Sequence, residues 1–132
     1  MRKVSIAALA AVSAVALAAA AHAQMKDVTI AVIGPMSGKE APFGTQMKRG
    51  AEMAVKDLNA AGGVNGMQVK LAVEDDACDP KQAVTAANKV AGMKVAAVIG
   101  HFCSGSSIPS SEVYWKAKIV MITPASTNPK LT

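Results

Sequence analysis

The sequence predicts an α/β fold built on a mainly parallel sheet. Short β-branched runs alternate with segments whose apolar residues recur at helical spacing, and glycine or proline closes most of the runs. Strand and helix in strict alternation imply right-handed βαβ units. At 132 residues the chain holds one domain at most.

The first strand is Val28 to Gly34, β-branched and stopped by Gly34-Pro35. A long loop is expected from Pro35 to Gly44, then a helix from Thr45 with Met47, Ala51, Ala54, Val55 and Leu58 on one face. Gly62 and Gly63 suit its C-terminal cap, and Asn65-Gly66 reads as a tight turn. Met67 to Glu74 alternates apolar and polar, which fits a strand less deeply buried than the first. Asp79 supplies an N-cap and Pro80 the first position of a helix running to about Met93. Val95 to Ile99 is a third strand, too brief for a helix. Beyond Gly100 a hydroxyl-rich turn leads to a helix expected around Ser110 to Lys116, with Ser106 or Ser107 as its cap. Lys118 to Thr123 is the fourth strand, and Pro124 to Pro129 a second hydroxyl-rich turn.

Residues 1–23 read as a cleaved secretory signal peptide and not as fold. Arg2 and Lys3 form the positive start, Val4 to Ala21 the apolar stretch, and Ala21-His22-Ala23 the small-residue cleavage site. The apolar stretch is near the length of a membrane span, but the Ala-x-Ala ending and the polar residues after it favour cleavage. Without the leader the net charge falls from +5 to +3, and no dense basic stripe is present, so nucleic acid is not an expected partner. Cys78 and Cys103 are an even pair in an exported chain, which favours a disulfide; free thiols, or a metal site with His101, are the alternatives. Closing that loop contributes about 3 kcal/mol on a chain-entropy view.

In such sheets ligands sit beyond the carboxyl ends of the strands, where the strand order reverses. The loops after strands one, three and four are rich in small or hydroxyl residues. Catalysis fits poorly: Ser104 lies near His101, but no G-x-S-x-G elbow and no acid partner stand out. A dinucleotide motif is missing after strand one, where Pro35 removes a needed N–H. The run Glu74-Asp75-Asp76 could bind a cation, but such a run more often marks a solvated strand end. A small zwitterion fits better. The Ser104 turn offers N–H and O–H donors for a carboxylate, the turn of Ala125 and Thr127 offers acceptors for an ammonium, and Phe43 and Phe102 can wall a side-chain pocket.

The Gly-Pro-Met-Ser-Gly run from Gly34, Gly50-Ala51-Glu52, the stretch Asn59 to Gly66, Asp75 to Ala83, Ile99 to Ser104, and Met121 to Thr127 resemble one family. It is that of the periplasmic leucine/isoleucine/valine-binding proteins of ABC transporters, type I solute-binding proteins. The likeness covers essentially the whole chain after the leader. It implies an α/β, three-layer lobe of parallel βαβ units over residues 24–132, no enzymatic activity, and no cofactor or metal. It implies a Cys78–Cys103 disulfide beside the site. Ser104 and Thr127 would hold the ligand carboxylate, the Ala125 carbonyl and the Thr127 hydroxyl the ammonium, and Phe102, Cys103 and Phe43 would lie against or beside its side chain. Position 43 is often Tyr in the family, so the ring is kept and the hydroxyl lost.

The implied ligand is leucine, isoleucine, valine or a related small amino acid. The implied partners are membrane permease subunits, with the receptor a monomer in the periplasm. These proteins resemble a two-lobed clamshell, and this chain ends inside the first lobe. It is therefore expected to be an incomplete N-terminal portion with weak or no binding. Losing an ammonium partner buried on closure costs about 2–5 kcal/mol. That moves a micromolar ligand to about millimolar or weaker. The alternative is a ligand-sensing ectodomain of a receptor on the same fold.

Overall fold

The computed structural model describes residues 27–132, so the leader reading of 1–23 lies outside the described residues. Four parallel strands, β1 (Val28–Gly34), β2 (Val69–Asp75), β3 (Ala97–Gly100) and β4 (Val120–Ile122), form one sheet in the order β2-β1-β3-β4. Between them run α1 (Ala41–Ala60), α2 (Pro80–Gly92) and α3 (Ser104–Ala117). A short 3-10 turn, Pro129–Leu131, follows β4.

The chain starts in the middle, steps to β2, then crosses back to β3 and β4. Right-handed crossovers therefore set α1 on one face and α2 with α3 on the other. The core of the second face follows from that placement. Ala31 and Ile33 of β1, Val98 of β3, and Ala86, Ala87 and Val90 of α2 close on Val95 and Tyr114. The alternate β1 residue Val32 is fully buried, as expected of a strand covered on both sides. At the outer edges the sheet is less protected. On β4, Val120 and Ile122 are 62% and 61% exposed.

Two helices begin earlier than the sequence reading placed them. Ala41 and Pro42 open α1, which shortens the expected 35–44 loop to 35–40. Proline in the first turn loses only an N–H that has no intrahelical partner there, so Pro42 marks a start and not a loop. Gly44 then lets this helix rest on β1's exit: a Cβ there would overlap the Pro35 carbonyl. The second case is α3, which starts at Ser104 and not near Ser110, with Pro109 inside it. Its N-cap is Cys103, without a side-chain cap bond, so Ser106 and Ser107 are not caps. They are fully buried, as is Ser110. α3 packs on the alanine-rich α2, with Tyr114 against Ala86, Ala87 and Val90, and that packing outweighs the hydrogen bond Pro109 cannot make to Gly105.

The remaining elements match within a few residues. Asp79 caps α2 through the Gln82 N–H at 2.8 Å, as its sequence predicts. The strand read from Met67 begins at Val69, because Met67 pairs with Val64 across the Asn65-Gly66 turn. Asn59 clamps the start of β2, accepting from the Val69 N–H and donating to its carbonyl.

Gly100 decides how close β3 comes to β1. Its φ is +138°, and a Cβ would overlap the Ile33 carbonyl oxygen. Gly100→Ala is therefore expected to destabilise the chain by about 3 kcal/mol. The urea midpoint checks this, and an unchanged midpoint would count against the close approach.

Candidate functional site

The strand order reverses between β1 and β3, so the chain leaves the sheet in opposite directions there and opens a crevice at their carboxyl ends. Four exits meet around it: the loop after Gly34, the turn after Asp75, residues His101 to Cys103, and the turn after Ile122.

The turns after β3 and β4 are tied by hydroxyls. The Thr123 Oγ1–H donates to the His101 carbonyl at 2.7 Å. The same oxygen accepts from the Ser126 N–H at 3.1 Å and the Ala125 N–H at 3.4 Å. Ser107 and Ser126 hydroxyls also approach the His101 carbonyl, at 3.3 and 3.4 Å, and lie 2.6 Å from each other. At the rim, Ser104 Oγ accepts from the N–H groups of Thr127, 3.2 Å, and Asn128, 3.3 Å. Ser104 and Thr127 are thus neighbours across two strand ends, with Ala125 in the same turn as Thr127. The start of α3 also leaves the Ser104 and Gly105 N–H groups without an intrahelical acceptor.

Phe43, from the first turn of α1, stacks on Phe102, from the loop after β3. Their ring centroids are 4.6 Å apart and their planes 13° from parallel. They form one apolar unit over the crevice instead of two separate walls, and Phe43 is 43% exposed. Cys103 is bonded to Cys78, with 5.5 Å between Cα atoms, joining the turn after β2 to the head of α3. Both sulfurs are used in that bond, so the zinc alternative falls.

His101 has a role the sequence reading missed. Its ring is fully buried, with Nδ1 2.5 Å from Asp76 Oδ2 and Nε2 2.9 Å from the Tyr114 hydroxyl. The other Asp76 oxygen accepts from the Cys78 N–H at 2.9 Å. So His101 does have an acid partner, but Tyr114 occupies the nitrogen that a Ser nucleophile would need. The Ser104 Oγ accepts from the Thr127 and Asn128 N–H groups and not from the His101 ring, so no Ser–His pair forms. Burial, and secondarily the Asp76 charge, pushes the Tyr114 phenol well above its usual range.

The run Glu74-Asp75-Asp76 is not a solvated strand end. Glu74 pairs with Lys89 of α2 at 2.7 Å, and Asp76 is buried on His101. Asp75 reaches across to the loop after β1. It accepts from the Ser37 hydroxyl at 2.5 Å and from the N–H groups of Ala77, Met36 and Ser37 at 2.8, 2.8 and 3.2 Å. Partial burial opposes its charge, but these donors prevail and hold the carboxyl below the ordinary range.

The periplasmic binding protein family model matches residues 27–132, all of the fold described above. The chain belongs to that family. It is 56% identical over 109 residues to an amino acid binding protein of Pseudomonas aeruginosa, covering 82% of this chain and 29% of that one. To the Leu/Ile/Val-binding protein of Escherichia coli it is 50% identical over 118 residues, 89% of this chain and 32% of the relative. Among solved structures, the branched-chain amino acid transporter substrate binding protein LivJ from Streptococcus pneumoniae, in complex with isoleucine, superposes with a TM-score of 0.76 at 30% identity. That match covers 80% of this chain and 30% of that one. The chain thus spans about a third of the length of these relatives. The family resemblance and the α/β parallel fold expected from the sequence are borne out. The family binds solutes and is not one of enzymes; neither is this chain an enzyme.

Two outcomes follow from this site. Asp75 has a lowered folded pKa, so its contribution is full above the unfolded carboxylate range and is lost as pH falls through the folded value. Amide exchange at Met36 and Ser37, corrected for intrinsic rates, should accelerate at acid pH in the unaltered chain and already at neutral pH in Asp75→Ala. Asp76→Ala strips the buried acceptor from His101 and Cys78 and should cost about 3 kcal/mol in chemical denaturation. A loss near zero would mean the buried chain of contacts is not formed.

Proposed function

We propose that the chain is the N-terminal lobe portion of a periplasmic receptor for a branched-chain amino acid, the substrate-binding component of an ABC importer. Ser104 and Thr127 hold the ligand carboxylate through N–H and hydroxyl groups. The Ala125 carbonyl and the Thr127 hydroxyl accept from the ammonium. Phe102 and Phe43 lie against an aliphatic side chain, with the Cys103 disulfide beside the site. Leucine, isoleucine, valine or a related small amino acid is the ligand. Residues 1–23 are the export signal, and the receptor works as a monomer that delivers to permease subunits.

The observation that carries this reading is the bond network joining the Ser104 and Thr127 turns. Donors and acceptors for a zwitterion's two charged ends lie within one rim, beside a stacked apolar pair. The names of the relatives, which include Leu/Ile/Val-binding proteins, support the ligand class. This portion provides one wall of the site, so residues 24–132 alone should bind leucine at about millimolar or weaker. Isothermal titration checks that, and micromolar binding would overturn the one-wall account. In a chimera where residues 27–132 replace the matching segment of the Escherichia coli relative, Ser104→Ala and Thr127→Ala should each weaken leucine binding by about 1–3 kcal/mol. Unchanged affinity in both variants would remove these hydroxyls from the site.

A further inference from the structure

We infer that Thr123 is a positioning residue for ligand recognition: by holding the Ser126 N–H it aims the Ala125 carbonyl, on the far side of the same peptide plane, at the ligand ammonium. This rests on the site proposed above and adds to it a residue that does not itself touch the ligand.

The Thr123 hydroxyl has one proton and two lone pairs. The proton goes to the His101 carbonyl at 2.7 Å, and the lone pairs take the Ser126 N–H at 3.1 Å and, more weakly, the Ala125 N–H at 3.4 Å. All its bonding capacity is therefore used. Pro124 has no N–H, so Ala125 and Ser126 carry the first two donors that the turn can offer after Thr123. The peptide joining Ala125 to Ser126 is trans, and in a trans peptide the N–H and the C=O point in opposite directions. With the Ser126 N–H directed at Thr123, the Ala125 carbonyl is directed away from it. The anchor behind Thr123 is stiff. His101 follows Gly100, whose backbone is pressed on the Ile33 carbonyl, and the His101 ring is buried between Asp76 and Tyr114. Without the Thr123 hydroxyl the Ser126 N–H loses its acceptor; the Ser126 side chain stays tied to Ser107, His101 and Phe102, but no bond then fixes the plane of the Ala125–Ser126 peptide itself.

The test separates aim from fold. Leucine and 4-methylpentanoate, which lacks the ammonium, are titrated into the chimera described above, where the second wall of the site is present. The unaltered chimera should prefer leucine. In Thr123→Val, close in shape but without the hydroxyl, that preference should fall by about tenfold. Thr123→Ser should retain most of it. A loss of general stability would lower both ligands alike and leave their ratio unchanged. Amide exchange at Ser126, read without ligand, should speed up in Thr123→Val and not in Thr123→Ser. Should Thr123→Val fail to fold by circular dichroism, Thr123→Ala takes its place. A leucine preference kept by the hydroxyl-free variant overturns the positioning role and leaves the site standing. Equal binding of both compounds by the unaltered chimera, or binding of neither, overturns the site and the inference with it.

Discussion

His101 ties three other segments of the chain to one point. Its carbonyl takes hydroxyls from the turn after β4 and from α3, while its ring is gripped by Asp76 beyond β2 and Tyr114 of α3. What makes this possible is a backbone approach only glycine allows. Gly100 brings the end of β3 against Ile33 of β1, so the residue that follows emerges inside the sheet's carboxyl edge instead of above it. A polar group buried there must find partners, since an unpaired one costs about 1–3 kcal/mol. The partners it finds are the turns that form the crevice. Stability of the fold and shape of the site are, at this point, the same set of bonds.

The acidic run at the end of β2 shows how three adjacent carboxylates can be sent to separate tasks. Strand geometry turns Glu74 and Asp75 to opposite faces, and Asp76 leaves the sheet as the chain bends. Glu74 therefore meets Lys89 on the face covered by α2, Asp75 meets the loop after β1, and Asp76 turns into the protein. Asp75 is in effect a strut between two exits of the sheet. The Cys78–Cys103 bond is another, from the same turn to the head of α3. Both act on segments that border the crevice.

Much of the architecture was legible in the chain, and the reasons are physical. The β-branched runs ending at Gly34 and Gly100 and the Asp79-Pro80 helix start are local signals, and local signals survive folding. The starts of α1 and α3 were harder. Pro42 could have been read as a first-turn proline. Pro109 could not be read as a helix-interior residue, because its tolerance depends on close packing with α2 that no local pattern reports. At the site, Ser104, Ala125 and Thr127 stood out by their turns, and Phe43 and Phe102 by being the chain's two phenylalanines. Thr123, Ser126 and Ser107 did not, because a hydroxyl reveals its role only when its partners, here about twenty residues away, are known. Asp76 was hidden for the opposite reason: its acidic neighbours made it look like surface.

The Ser107 and Ser126 hydroxyls, described above only by their separations, form a pair with two proton arrangements. Each oxygen carries one hydrogen, they lie 2.6 Å apart, and each also reaches a backbone carbonyl, that of His101 for both and of Phe102 for Ser126. If Ser107 donates to Ser126, the Ser126 hydrogen goes to the His101 or Phe102 carbonyl; if the direction reverses, the Ser107 hydrogen goes to the His101 carbonyl. Both orders satisfy the same heavy-atom positions. The joint between α3 and the turn after β4 can thus reorient its dipoles by rotating two O–H bonds while the backbone stays where it is.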